Sequence, residues 1–317
     1  MGQRVCIIGG SGFVGRAIIH EAISQGHKVT VACRHPERAR SLLLSCERLV
    51  RADVADGSGL DDAVQGADVV INLVGLLFEK GRYNFEAAHV QGTEHVLAAC
   101  KKADIGQYLH MSALGAGKIE NSKYSMSKGA AEDLVRQANI NWTVFRPSII
   151  YGAGDSFFNK FKKMTDILPV LPVISWYTRF QPVWVEDVAR AFVTSIGNKH
   201  VSGCEFELAG PKVYKFRQLQ ELLMDTLGRK RMLVSMPDKV AELLAAVTQF
   251  LPTPPITRDQ LVLLKHDNVV QGEAFPHIFG EPSALEDVLP TYICGSQAES
   301  LQSQMDRSRS HYRKGSI

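Results

Sequence analysis

No apolar run in this sequence approaches the roughly 18 residues that a bilayer-crossing helix requires, so a spanning segment is not predicted. Paired cysteines are missing too. Cys6, Cys33, Cys46, Cys100, Cys204 and Cys294 are scattered without metal-ligand spacing, which argues against a zinc framework, and no metal is expected. Cys6 and Cys33 sit inside apolar strand-like runs, where thiols act as small hydrophobes, a usage suited to a reducing compartment. An excess of one charge is also lacking. The 36 Lys and Arg against 33 Asp and Glu leave a net charge of +3. With no basic stripe interleaved with aromatics, nucleic acid is not an expected partner. Internal repeats are absent. The strand pattern begins by residue 5, leaving no room for a leader. The expectation is a cytoplasmic protein, at most peripheral on the inner face of a membrane.

What is present is ordinary globular composition, 45% apolar and 22% charged over 317 residues, enough for about two domains. Strand-like runs at 4–8, 28–32, 48–51, 69–74, 107–111 and 141–145 alternate with amphipathic stretches at 17–24, 60–65, 93–102 and 123–138. Such alternation predicts an α/β fold, a Rossmann-type doubly wound parallel sheet covered by helices on both faces. After about residue 150 proline becomes frequent and the alternation weakens. Residues 1–150 are therefore assigned to a dinucleotide-binding domain, which the strand–helix pattern at 181–200 rejoins. Residues 151–180 and 201–295 form a smaller C-terminal α/β domain facing a substrate or partner, and 296–317 is a polar tail.

The stretch "VCIIGGSGFVGRAIIHEA" places Gly9, Gly12 and Gly15 between the first strand and the first helix. A sharp strand-to-helix turn leaves unpaired N–H groups at the positive end of a helix dipole, where a pyrophosphate fits if the backbone can approach closely. Alone, the same spacing describes any tight turn. Where NAD binders usually carry an acid for the ribose 2′-hydroxyl, the chain has Arg34, with Arg38 nearby. A guanidinium grips a 2′-phosphate that a carboxylate repels, which favours NADP(H) over NAD(H). Ser112 follows a strand, and Tyr124 and Lys128 stand four apart on one helix face. A phenol near pKa 10 needs a nearby ammonium to exchange protons at neutral pH. Ser112, Tyr124 and Lys128 are the catalytic candidates, with Ser112 polarising a carbonyl.

Together, "GGSGFVG", "RADVAD", "NLVG", Ser112, "YSMSK" and "RPSIIYG" resemble the extended short-chain dehydrogenase/reductase superfamily over nearly the whole chain. The later segments "RPSIIYGAGDSFFNKF", "QPVWVEDVA", "ELAGPKVYKFRQL" and "LPTPPITRDQLVLLKHDNVV" resemble a narrower group. It comprises atypical members similar to the 39-kDa accessory subunit of respiratory complex I (the NDUFA9-like family). The resemblance implies that Gly9, Ser11, Gly12, Phe13, Val14 and Gly15 hold the pyrophosphate and that Arg34 takes the 2′-phosphate. It implies further that Asp53 and Val54 border the adenine, and that Leu73, Val74 and Gly75 line the ribose side. Tyr124 and Lys128 would reach the nicotinamide ribose, and the backbone from Pro147 to Ile150 would flank the nicotinamide ring. His89 stands where many extended members carry Asn, so a proton relay there differs.

Two functions follow from the resemblance. One is an NADP(H)-binding accessory or assembly protein, with complex I subunits or a membrane surface as partners; the late segments favour it. The other is an NADPH-dependent oxidoreductase or epimerase-like enzyme on a small carbonyl or quinone-related substrate, which the Ser112–Tyr124–Lys128 trio keeps open. In the smaller domain, Arg179, Lys212 and Lys215 are candidates for a phosphate-gripping cluster. Val240, Leu243, Leu244, Val247 and Leu251 recur at helical spacing. They either cover the domain's own core or, with Phe250, dock on a partner or bilayer. Arg307, Arg309, Arg313 and Lys314 in the tail would add attraction to anionic lipid.

Overall fold

In the computed structural model, residues 2–248, 251 and 254–294 are described. β1 (Arg4–Ile8), α1 (Phe13–Ser24), β2 (Lys28–Cys33), β3 (Arg48–Arg51), α2 (Leu60–Val64) and β4 (Val69–Asn72) open the chain. A π-helical turn over Glu86–Gln91 runs into α3 (Gly92–Lys102), followed by β5 (Gln107–Met111), α4 (Lys123–Gln137) and β6 (Asn141–Pro147). Next come β7 (Ile150–Tyr151), α5 (Phe158–Ile167), β8 (Val170–Val173), β9 (Arg179–Phe180), β10 (Val183–Trp184), α6 (Val185–Thr194) and β11 (Cys204–Leu208). β12 (Tyr214–Lys215), α7 (Phe216–Leu227), β13 (Met232–Ser235), α8 (Asp238–Thr248), α9 (Arg258–Leu264) and α10 (Leu285–Ile293) complete it.

The main sheet has seven strands in the order β11-β6-β5-β4-β1-β2-β3. Every pairing in it is parallel. Winding runs one way from β1 to β3 and the other way from β4, so the order reverses beside β1. At that reversal a crevice opens beyond the carboxyl ends of β1 and β4. Strands such as "VVIN" are buried throughout because both faces are covered. On one face Ile7, Val31 and Phe145 meet Ile18 of α1 and Val188 and Phe192 of α6. On the other, Ile8, Val70 and Tyr108 meet Leu60, Val96 and Val135 from α2, α3 and α4. A third core, around Tyr151, Phe158, Phe180, Phe216, Leu223 and Leu289, holds the smaller C-terminal unit together.

The structure corrects several boundaries. α1 begins at Phe13 rather than 17, because the glycine turn feeds directly into it. The strand expected over 69–74 ends at Asn72, whose Oδ1 accepts the Val74 N–H at 3.1 Å and turns the chain. Residues 204–208 do not belong with the smaller unit. They form β11, the strand beside β6. Phe275 and Phe279 likewise pack into the α1–α6 core. The local pattern reveals a strand but not its distant partner, and β6 without β11 would expose an unpaired edge.

α8 is inverted relative to an ordinary core helix. Ala241 and Ala245 face inward against Leu261, while Val240, Leu243, Leu244 and Val247 are 51%, 67%, 38% and 67% exposed. The sequence left two readings of this stripe. Its small residues cover the core and its large ones do not. Leu251 is exposed as well. Phe250, Arg307, Arg309, Arg313, Lys314 and the rest of the 296–317 tail lie outside the described residues. Among the described residues no helix is long and apolar enough to cross a membrane.

Candidate dinucleotide site

Three glycines do three different things at the end of β1. Gly9 has φ +79°, a left-handed turn that a side chain would strain. Gly12 caps α1 in extended conformation, and α1 starts with no side-chain cap and no acidic residue in its first turn. Its leading N–H groups and positive dipole end are thus left for an anion. Gly15 faces the preceding turn so closely that a Cβ would lie 2.5 Å from the Gly10 Cα and carbonyl oxygen. Ser11 closes the turn, its carbonyl accepting from Arg16 Nε at 3.2 Å. The Phe13 ring lines a cavity of about 500 Å³ with Arg16, Trp184, Glu186 and Tyr292. Val14 packs on the α1–α6 core.

The neighbouring strand ends converge on this turn. A Cβ on Gly9 would meet Val74 Cγ2 at 3.4 Å, and one on Gly75 would meet Lys128 Nζ at 3.3 Å. Leu73 is buried and donates its N–H to the Ile8 carbonyl at 3.0 Å. Lys128 is 2% exposed. Its Nζ donates to the carbonyls of Met111 (3.0 Å) and Val74 (3.3 Å), tying α4 to β5 and to the loop after β4. Burial lowers its pKa to about 8 against the opposing pull of Glu132. Ser112 is buried and its Oγ has no hydrogen-bond partner among the described residues. On the far side, the Pro147 carbonyl accepts from Leu114 N–H, and Ile149 N–H donates to Asn268 Oδ1. This fixes the strip from Pro147 to Ile150 beside the Ser112 loop.

Tyr124 departs from the expected chemistry. The half-buried phenol is pushed up to about 12 by burial, with the Asp259 carboxylate adding to the rise. Lys128, turned toward backbone carbonyls, does not offset this. Asp259 explains what "PPITRDQ" does. Its carboxylate accepts from the Lys123 N–H at 2.7 Å and from Ser122 Oγ at 3.0 Å, while Ser122 Oγ accepts from the Ser125 N–H. The first turn of α4 is thereby capped from a segment far along the chain. Gln260 Nε2 donates to the Leu77 carbonyl, joining the same segment to the loop after β4.

His89 stands in the π-helical turn, 1% exposed. Its Nε2 accepts from the Leu76 N–H at 3.0 Å, so Nδ1 carries the proton and donates to Ser127 Oγ at 2.8 Å. Burial, with Lys128 and His110 nearby, lowers its pKa to about 2. The imidazole is a fixed neutral brace for the loop.

Farther out, Arg34 and Arg38 are exposed beyond β2. Asp53 is buried, and its Oδ2 accepts from Tyr83 Oη (2.7 Å) and Arg82 Nη2 (2.8 Å). The carboxylate assigned to the adenine border thus already anchors two side chains. Val54 is buried against Gly92, its carbonyl taken by His95. Arg179 and Lys215 stand opposite each other in the β9–β12 pair, but no phosphate-gripping cluster forms with Lys212, because each side chain has another partner. Arg179 pairs with Asp267, Lys212 pairs with Glu286, and Lys215 lies over the Tyr177 ring. The residues that sequence reasoning missed, Arg82, Tyr83, Asp259, Gln260 and Asn268, all act across long sequence separations.

A family model described as NAD(P)H-binding matches residues 9–158. Among solved structures, a nucleoside-diphosphate-sugar epimerase from Staphylococcus aureus superposes with a TM-score of 0.71. That match has 16% identity over 90% of this chain and 99% of the other. A ceramide reductase of Caulobacter vibrioides is 28% identical over 74% of each chain. An Arabidopsis thaliana protein, the mitochondrial NADH dehydrogenase [ubiquinone] 1 alpha subcomplex subunit 9, is 31% identical over 84% of this chain and 71% of its own. With that match spanning both units and the Rossmann-type sheet already in place, the chain belongs to the family of the 39-kDa complex I accessory subunit.

Proposed function

We propose that this chain is an NADP(H)-holding accessory or assembly protein of respiratory complex I, in which the nucleotide is a structural part. Gly9, Ser11, Gly12, Phe13, Val14 and Gly15 would hold the pyrophosphate, with Arg34 and Arg38 at the 2′-phosphate. Val54 and Asp53 would border the adenosine, and Leu73, Val74 and Gly75 the ribose. Tyr124 and Lys128 would reach the nicotinamide ribose beside Pro147 and Ile150. The observation that carries the accessory reading is α8, whose large apolar residues face away from the alanines that cover the core. A stripe left uncovered among the described residues calls for an apolar surface elsewhere. At 11 residues α8 is too short to span a bilayer and suited to lie against a membrane or a membrane-bound partner.

The test is fractionation of the native protein. Part of it should sediment with membranes at low ionic strength and part of that should survive a high-salt wash, because apolar burial is not screened. In the double variant Leu243→Glu, Val247→Glu the salt-resistant part should disappear while the melting temperature stays close to wild type, both sites being exposed. Recovery wholly outside the membrane fraction at low salt would overturn the reading.

That outcome would favour a second one, reduction of a small carbonyl or quinone-related substrate. Its support is Ser112, whose buried Oγ has no partner among the described residues and could donate to a carbonyl oxygen. Bound NADPH would supply the hydride. A Tyr124 phenol held near 12 stays protonated at neutral pH, which suits a proton donor better than a base.

Under either reading Lys128 makes cofactor binding depend on pH. Its ammonium, at about 8 in the free protein, would be favoured by the anionic nucleotide. Affinity for NADP(H) should therefore fall as pH rises through about 8, and this slope should vanish in Lys128→Met. Titrations between about pH 6.5 and 9.5 would check it. Stability of the free protein should move oppositely. The unfolded chain keeps the Lys128 proton up to about 10.4, so the cost of burying the ammonium is relieved between about 8 and that value.

A further inference from the structure

The 78–85 loop places an aromatic ring against two arginines. Arg34 Cζ lies 4.3 Å from the centroid of the Tyr83 ring, and Arg82 Cζ lies 4.9 Å from it. The ring is pinned. Tyr83 Oη donates to the buried Asp53 at 2.7 Å, Arg82 Nη2 donates to both Asp53 and Tyr83 Oη at 2.8 Å, and a two-bond bridge joins Lys80 to Tyr83. Arg82 is neutralised by Asp53 and Asp56. Arg34 is not: among the described residues no carboxylate pairs with it. Its guanidinium has a ring to lie on and N–H edges left to donate.

We propose that Tyr83 is the residue that makes Arg34 selective for the 2′-phosphate, by holding its guanidinium in place from the opposite side of the nucleotide crevice. An exposed arginine ordinarily loses rotamer freedom on gripping a phosphate. A guanidinium already stacked on a fixed ring loses less, and the difference appears as affinity for the phosphorylated cofactor only. Asp53 thereby acts on the nucleotide through Tyr83. The inference rests on the NADP(H) reading above and assigns that preference a second residue.

Titration of NADP⁺ and NAD⁺ against the full chain tests it, in wild type, Arg34→Ala, Tyr83→Leu and Tyr83→Phe. Tyr83→Leu should weaken NADP⁺ binding roughly threefold to thirtyfold and leave NAD⁺ within about twofold. Tyr83→Phe, which keeps the ring but loses the hydroxyl that pins it to Asp53, should fall between Tyr83→Leu and wild type. If Tyr83→Leu leaves NADP⁺ affinity unchanged while Arg34→Ala lowers it, the preference stands and the role of Tyr83 is wrong. Equal weakening of both cofactors by Tyr83→Leu would also overturn it, since a merely structural role predicts that. A wild type that binds both cofactors equally removes the NADP(H) reading and this inference with it.

Discussion

Replacing Glu132 with alanine should cost about 3 kcal/mol, the lower end of what breaking a buried ion pair costs. The carboxylate is 1% exposed on α4. It accepts from Arg146 Nε at 2.9 Å and Nη2 at 2.6 Å, and from Arg136 Nη2 at 2.8 Å. Arg146 is the penultimate residue of β6, and these bonds hold its pKa above the usual arginine range. Removing Glu132 leaves that guanidinium largely buried with only Glu205, at 2.6 Å, which keeps the loss from the upper end. Urea unfolding should show the midpoint falling with the slope unchanged. Glu132→Gln should fall between the two, since an amide oxygen still accepts. Loss of Glu132 also removes the charge that raises Lys128, so Lys128 should titrate below 8 in the variant. An unchanged urea midpoint in Glu132→Ala would mean that the pair does not fasten α4 to the sheet.

Gly15→Val should be as damaging by another route. A Cβ there would stand 2.5 Å from two backbone atoms of Gly10, which no rotamer change relieves. Either α1 lifts from the turn or the turn opens, and overpacking of this kind costs about 3 kcal/mol or more. Since α1 carries Ile18 and Ile19 into the core, thermal melting should drop and any nucleotide affinity should go with it. Gly12→Ala is the control. Its Cβ would meet only the Gly9 carbonyl oxygen, at 3.3 Å, so its fold should persist. A Gly15→Val protein that melts like wild type would show that the turn tolerates displacement.

The elements legible in the sequence are those specified by neighbours. β1, β3 and β5 fall where short apolar runs end in turn residues, and Gly9, Gly12 and Gly15 show their spacing directly. Lys128 lies four after Tyr124, and one helical turn fixes their shared face. What could not be read depends on separation. Asp259 reaches Lys123 across 136 positions, and nothing in "TRDQ" says which helix it caps. Tyr83 and Arg34 come from different strands' loops, and only the fold makes them stack. The Tyr124 phenol failed for a related reason. The spacing supplied a lysine, but burial and a distant carboxylate govern the group. α8 shows the limit of periodicity. A stripe of Leu and Val fixes the helix but not which side of it faces the protein.

The position of β11 has a consequence for synthesis on the ribosome. The first six strands of the sheet are complete once Pro147 has emerged, but β6 then has an open edge. The strand that covers it ends at Leu208, and α6, Phe275 and Phe279, which seal the face over Phe145, arrive between and after. At about 5–20 residues per second, the nascent chain spends several seconds with an unpaired parallel edge and an uncovered aromatic face. Such a surface templates pairing with other chains. The nucleotide half therefore does not mature as a leading domain. It waits for segments as late as Phe279, and a binder that occupies β6 in the interval would decide how much of the chain reaches the native state.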